Sequence, residues 1–240
     1  METLQRSKDR KVANAVSRNG DQALIANTFG LPAGREYSCP STTSMCEKVC
    51  YAGKLEKLYK SVKAVLTRNW DLLKDADYQT MVELLNNMVS DFRKDCEKRN
   101  AEKLFRIHWD GDFFSQQYTL AWKQVIKSNS DIQFWVYTRV AASAQTLNGI
   151  ENLSLYFSTD DDNIEVATIL KKKDNIRLAY LADNFQVGQA KMKEITGKPG
   201  AKCPENAKRL SLISTDGSAC VRCGLCVFNK ADIVFSASKK

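Results

Sequence analysis

The residues with the most chemical potential in this sequence are its cysteines. Eight are present beside a single histidine, and they are bunched rather than scattered. Cys39, Cys46 and Cys50 share the stretch Cys39-Pro-Ser-Thr-Thr-Ser-Met-Cys46-Glu-Lys-Val-Cys50. Cys203, followed by Pro204, and the run Cys220-Val-Arg-Cys223-Gly-Leu-Cys226 lie near the other end, with Cys96 alone between the groups. Thiols three residues apart bridge one another poorly, because a disulfide constrains both Cα separation and Cβ direction. A chain able to bury its own core also has little need of covalent staples. Both clusters therefore read as metal ligands.

Structural zinc usually takes four ligands as two separated Cys-x2-Cys pairs. The C-terminal group instead has three sulfurs in Cys-x2-Cys-x2-Cys with a remote Cys-Pro, and so resembles the ligand run of bacterial ferredoxins. A [4Fe-4S] cluster held by Cys203, Cys220, Cys223 and Cys226 is the reading favoured here, with zinc as the alternative. Gly224 in this run would let backbone amides approach the cluster. The N-terminal group offers only three thiolates, Cys39, Cys46 and Cys50. Three leave one position open or filled by another ligand, the arrangement suited to binding a small molecule at a cluster iron. Cys96, in the charged helical stretch Asp91-Phe-Arg-Lys-Asp-Cys96, reads as a thiol packed under a helix.

The elements that must position these thiols change character along the chain. Residues 1–20 are polar and basic (Arg6, Lys8, Arg10, Lys11, Arg18) and read as a mobile arm or frayed helix. Residues 23–26 suggest a short first strand. From Tyr51 to about Asn100 the apolar residues recur at helical spacing, with a break near Asp75-Ala-Asp77. Beyond that the period becomes two. Residues 104–109, 132–137, 153–157 and 176–181 are rich in β-branched and aromatic types, with helical segments at 116–127 and 164–172 between them. A last strand is expected at 233–235. This βα rhythm implies a mostly parallel sheet, and the expected fold is α/β: a partial, open β/α barrel with a cysteine-rich N-terminal loop and a C-terminal cysteine segment. The expected division is a basic arm (1–20), a partial barrel carrying the triad (21–200), and a cysteine-rich segment packed on it (201–240).

Chemistry in parallel α/β folds collects at the carboxyl ends of the strands. The residues expected there include Asp110-Gly-Asp112, Thr138-Arg139, Ser158-Thr-Asp-Asp-Asp162 and Ala182-Asp-Asn184. Asp160–Asp162 read best as the cap of a helix whose last turn carries Lys171-Lys-Lys173. Asp110, Asp112 and Arg139 are catalytic candidates: a short acidic glycine turn gathers carboxylates, and Arg139 could pair with them or hold an anion. Strand alternation puts His108 opposite Phe105, Ile107 and Trp109. That would aim it into the barrel, as a hydrogen-bonded core imidazole or as a fourth ligand or proton-transfer group.

Composition narrows the function classes. With 240 residues, 43% hydrophobic and 27% charged, the chain is an ordinary globular one. Its longest apolar runs fall far short of a membrane span, and its first ten residues contain no apolar core of a secretory signal. A phosphate loop, a dinucleotide glycine motif, a Ser-His-Asp pattern and a histidine-rich hydrolase motif are all missing. The formal charge of +8, with Lys54, Lys57, Lys60, Lys63 and Arg68 on one helical stretch, makes nucleic acid a candidate partner. A redox partner is a second candidate, and a cytoplasmic location is expected.

Two resemblances follow from these residues. A cysteine triad just after a first strand in an α/β partial barrel resembles the radical S-adenosylmethionine superfamily. So do the aromatic residue after Cys50 and an acidic glycine turn at a strand end. The spacing here is x6 and x3, where that superfamily has x3 and x2, and Asp110-Gly-Asp112 stands where it has Gly-Gly-Glu. The sequence is also similar to the phage gene product 88-like family in Thr28-Phe-Gly-Leu-Pro-Ala-Gly34, Cys39-Pro, Cys50-Tyr-Ala, Phe105-Arg-Ile-His-Trp-Asp-Gly-Asp-Phe-Phe-Ser115, Tyr137-Thr-Arg139 and the terminal cysteine run. That resemblance spans most of residues 26–236. Together they imply a viral origin and a host-cytoplasmic iron–sulfur protein with one or two [4Fe-4S] clusters and S-adenosylmethionine as a candidate ligand. A non-catalytic electron carrier, a fold held by its metal, and a basic nucleic-acid-binding factor are the competing functions.

Overall fold

The computed structural model describes residues 2–16 and 20–238. The chain opens with a hairpin of β1 (Asn14–Val16) and β2 (Gln22–Leu24), then β3 (Thr28–Gly30). Four helices follow: α1 (Ser44–Val49), α2 (Tyr51–Leu58), α3 (Lys60–Leu73) and α4 (Tyr78–Lys98). Strand and helix then alternate through β4 (Leu104–Asp110), α5 (Gln116–Ser128), β5 (Gln133–Thr138), α6 (Ala141–Leu147), β6 (Leu153–Thr159), α7 (Ile164–Asp174), β7 (Arg177–Ala182) and α8 (Phe185–Thr196). The end of the chain holds β8 (Ala201–Lys202), the hairpin β9 (Ile213–Ser214) and β10 (Gly217–Ser218), α9 (Ala219–Cys223) and β11 (Ile233–Ser236).

Seven strands form one sheet in the order β3-β4-β5-β6-β7-β11-β8, every neighbouring pair parallel. The expected α/β class and parallel sheet are therefore present. Among the described residues the sheet ends at β3 and β8, which do not pair with each other. Helix boundaries follow the side chains able to satisfy free amides. Asp77 accepts from Thr80 N at 2.7 Å at the start of α4, which is why the helical stretch breaks near Asp75. A second break, unexpected from periodicity, falls at Tyr59, whose extended backbone separates α2 from α3.

Alternation along the strands sorts the two faces. Phe105, Ile107, Phe134, Val136, Phe157, Leu178 and Tyr180 meet the helical layer in one core with Leu85, Phe92, Trp122, Leu147 and Met192. The opposite face, with Leu104, Trp135, Tyr156 and Ile233, has no long helix on it. The N-terminal segment and the cysteine-bearing C-terminal segment cover it through Val12, Leu225, Cys226 and Val227.

The N-terminal residues differ from the mobile arm expected. Leu4, Val12, Ala13 and Ala15 are buried, Arg6 pairs with Asp95 at 2.6 Å, and Ser7 bridges Thr28 antiparallel. Apolar residues spaced among the cations let the segment close one face while its charges find carboxylates. Arg18 lies outside the described residues.

Candidate functional site

A cavity of about 520 Å³ lies on the sheet face away from the main helical layer, walled in part by the short helices α1, α2 and α9, and reaches the carboxyl ends of β4 and β5. Seven cysteines line it: Cys39, Cys46, Cys50, Cys203, Cys220, Cys223 and Cys226. All eight cysteines are free thiols. The eighth, Cys96, is fully buried in the helical core under α4, its thiol donating to Glu102 O at 3.7 Å. The seven cysteines expected to act as ligands thus lie around one cavity, and Cys96 lies apart from them.

The triad is carried by loops at the carboxyl edge of the sheet. Ser38 donates to Pro32 O at 2.7 Å and Cys39 N to Gly34 O at 3.0 Å, which folds the turn that presents Cys39. Gly111 sits against this turn at φ +84°, and a Cβ there would stand 2.4 Å from Ser38 Oγ. Thr43 caps α1 by accepting from Cys46 N at 3.2 Å, and it donates to Asp160 Oδ2 at 2.6 Å. Asp160 in turn forms a buried ion pair with Arg139 at 2.9 Å. Cys50 joins α1 to α2 and accepts from Gly53 N at 3.3 Å.

The quartet is carried by the C-terminal segment. Cys203 leaves β8 with its amide donating to Val234 O at 3.0 Å, and Cys220 N donates to Lys11 O at 3.0 Å. Gly224, left-handed at φ +63°, ends α9 and turns the chain toward Cys226. Ser154 Oγ donates to Val227 O at 2.7 Å, and the Tyr156 hydroxyl donates to Leu225 O at 3.2 Å and Ala231 O at 3.0 Å. These strand side chains pin the loop to the sheet.

Besides Arg139, two further cations stand in the same cavity wall. Arg106 pairs with Asp9 at 2.5 Å and lies 5.6 Å from the centre of the Tyr137 ring, with its Nε buried and without a hydrogen-bond partner. Lys11 pairs with Glu205 at 2.9 Å and lies 5.5 Å from the Tyr51 ring. Lys11 lies in the basic N-terminal stretch and Arg106 inside the Phe105–Ser115 stretch similar to the phage family, but neither is marked as a site residue by its type or spacing. The signal that could have found Arg106 is a lone cation in the middle of a β-branched and aromatic strand.

Burial pushes the thiols of Cys39, Cys50, Cys203, Cys220 and Cys226 up, Cys226 to about 12, against the opposing help of donors such as Gly53 N and Tyr137. Nucleophilic cysteines need the opposite shift. These thiols are therefore poor attacking groups as they stand, and they would ionise only against a strong local positive charge such as a bound metal. Among the described residues no group of three or more His, Cys, Asp or Glu side chains is drawn together as if around a metal ion.

The four catalytic candidates are placed differently. His108 does not follow strand alternation. Its φ is +58° at an irregularity between β3 and β4, and its ring packs among Phe29, Phe113, Tyr118 and Trp122, with Nε2 2.9 Å from the Tyr118 hydroxyl. Burial, then Arg106, pushes it down to about 3, so it is neutral. This is the hydrogen-bonded imidazole of the two alternatives. Asp112 is occupied by structure, accepting from Thr138 Oγ1 at 2.6 Å, Arg139 N at 2.8 Å and Phe113 N at 2.7 Å. Arg139 thus meets the acidic turn through its backbone and gives its guanidinium to Asp160. Asp110 lines the cavity, and burial with the neighbouring Glu56 carboxyl holds it well above the usual carboxylate range. Asp160 also accepts from Asp162 N and so caps a short 3-10 turn, Asp161–Asn163, that leads into α7, rather than α7 itself, whose N-cap Asn163 makes no side-chain cap bond.

The described residues contain no helix long and apolar enough to cross a membrane. No solved structure matches the chain. It is 51% identical over 245 residues to the Gene 88 protein of Mycobacterium phage L5 and 50% identical over 246 residues to that of Mycobacterium phage D29, across the full length of each. A family model described as Gene product 88 matches residues 2–229, so the chain belongs to the Gene product 88 family of bacteriophage proteins.

Proposed function

We propose that this is an iron–sulfur protein in which both thiol groups serve one cavity. The observation that carries the reading is the sorting of the cysteines. Seven, drawn from three separate stretches of chain, face one space, while the eighth is sealed in the opposite core. Packing alone has no need to line a cavity with thiols. The donor set fits an iron–sulfur group, since thiolates are its usual ligands. Cys203, Cys220, Cys223 and Cys226 would hold a closed four-thiolate cluster, serving structure or electron relay. Cys39, Cys46 and Cys50 would hold a second with one iron open to a small ligand. When bound, such a site supplies electrons and a Lewis-acidic position to whatever occupies the cavity. The chain's own contribution is to position that occupant. Arg106 and Lys11 offer positive charge, and Asp110, held protonated, offers a donor. The sequential parallel strands with a triad at their carboxyl edge support the likeness to radical S-adenosylmethionine proteins, and S-adenosylmethionine is the first ligand to test.

The test is iron and acid-labile sulfide per chain on anaerobically purified protein, with EPR of the reduced form. Two cubane clusters require about eight irons and eight sulfides. Replacing Cys39, Cys46 and Cys50 by Ser should remove about half, and replacing Cys220, Cys223 and Cys226 the other half. Zinc without iron would overturn the reading. An EPR signal unchanged by S-adenosylmethionine would leave the clusters and remove that ligand.

A further inference from the structure

We propose that the exposed face of α2 and α3 binds single-stranded nucleic acid, with the strand passing the mouth of the thiol-lined cavity. The observation is a run of uncompensated charge. Lys54, Lys57, Lys60, Lys63 and Arg68 are all exposed, and among the described residues none has a carboxylate partner. Other cations of the chain are engaged, as Arg6 is with Asp95, Arg93 with Asp131 and Lys171 with Asp232, and what sets this row apart is that large apolar side chains are exposed within it. The two carboxylates of this part of the chain are occupied: Glu47 pairs with Arg35 at 3.0 Å, and Glu56 accepts from Ala33 N at 2.8 Å.

Geometry selects the partner. Lysines three residues apart on a helix stand ~4.5 Å apart along its axis, and their long stems let them reach successive phosphates. The break at Tyr59 splits the row into two lysine pairs, and at the bend Leu58 and Tyr59 project into solvent, 71% and 55% exposed. Large apolar side chains left in water inside a cationic row are what a stacking platform offers to unpaired bases, whereas a duplex has no free base faces to meet them. The row also runs from the cavity. Tyr51 begins α2, lines the cavity, and donates its hydroxyl to Trp109 O at 3.0 Å. This inference stands apart from the iron–sulfur reading, because it uses neither the thiols nor their ligands.

The experiment is fluorescence anisotropy of a labelled single-stranded 20-mer with the full chain, titrated at several salt concentrations. Four phosphate contacts predict a log–log salt slope of about −2.8 and a loss of about 50-fold in affinity between 50 and 200 mM salt. Replacing Lys54, Lys57, Lys60 and Lys63 by Gln should abolish that slope while far-UV circular dichroism stays unchanged. Tyr59→Ala alone should cost about five-fold or more. No binding at 50 mM salt, or binding that survives the four-lysine variant, would overturn the proposal. So would a duplex bound as tightly as the single strand, or capture by anionic lipid vesicles without binding of the oligonucleotide. Iron content is read in parallel, so failure here and failure of the cluster reading are separate results.

Discussion

Replacing Asp160 by Asn should show whether the triad loop is anchored where the structure places it. The Asp160 carboxylate and the Arg139 guanidinium are 2.9 Å apart, with side chains only 2% and 7% exposed. Removing the carboxylate charge strands a buried guanidinium, which costs about 3–5 kcal/mol. Asn keeps one acceptor oxygen, so either the bond from Thr43 Oγ1 or that from Asp162 N is lost as well, worth about 1 kcal/mol more, and Thr43 is the residue that caps the helix bearing Cys46. Asp160→Asn is therefore expected to lower unfolding free energy by at least about 3 kcal/mol in urea titrations of the reduced, metal-free chain. Arg139→Met strands the carboxylate instead, but leaves it the donors Thr43 Oγ1 and Asp162 N. Removing both partners leaves no unpaired charge, so the double variant should be more stable than the sum of the singles by about 2 kcal/mol or more. On the cluster reading proposed above, Asp160→Asn should shed iron from the triad before iron from the quartet. Additive singles, or a single variant within about 1 kcal/mol of the parent, would refute the argument that this pair fixes the loop.

Two further outcomes follow from the acidic glycine turn. At Gly111 an added methyl meets Ser38 Oγ at 2.4 Å and Leu31 O at 2.9 Å, on a backbone of φ +84°. Gly111→Ala should destabilise by about 2 kcal/mol or more in thermal or urea unfolding and displace the turn that presents Cys39; a variant as stable as the parent would contradict the close approach. At Asp110, burial and Glu56 raise the folded-state value, so the folded chain keeps a proton that the unfolded chain releases near pH 4. Stability from this group is complete below that pH and is lost as pH rises toward the folded value, so the metal-free chain should have a lower urea midpoint at about pH 8 than at about pH 5. Asp110→Asn should flatten that dependence, and equal slopes in parent and variant would count against the assignment.

The parallel sheet was readable in advance because it depends on local signals. Four apolar runs of strand length with helical spacers between them, and no hairpin turns, leave few alternatives. The helix break at Asp77 was readable for the same reason, since the capping side chain is in the sequence. What escaped depends on contacts between distant residues. Leu4 and Val12 are too few and too widely spaced to announce that a basic segment will be built into the fold, yet Val12 is buried against the sheet face it closes and Leu4 in the helical core. His108 was assigned by alternation, and one left-handed residue inside β4 redirected it. No periodicity argument detects a single irregular φ in a strand otherwise regular in type. Arg106 went unnoticed as a site residue because its meaning comes from Asp9, from Tyr137 across the strand pair, and from thiols a hundred residues away.

The two thiol groups reach the cavity by different physical routes, and this bears on what each can do. A parallel sheet needs cover on both faces. Here the helices supply one side, and on the other the strand residues Trp135, Tyr156 and Ile233 are closed by the segments around Val12 and Leu225–Val227. That second cover is thin, held by Ser154, Tyr156 and the Arg106–Asp9 pair, and it contains Cys220 and Cys226. A group bound by the quartet would fasten the cover to itself, so binding there adds to folding free energy as a structural metal does. The triad loops carry no such duty. Thr43, Asp160 and Ser38 hold them at the strand ends, and the one thiol that helps, Cys50, accepts only from Gly53 N within the same stretch, so a group bound by the triad would not be needed to keep the sheet closed.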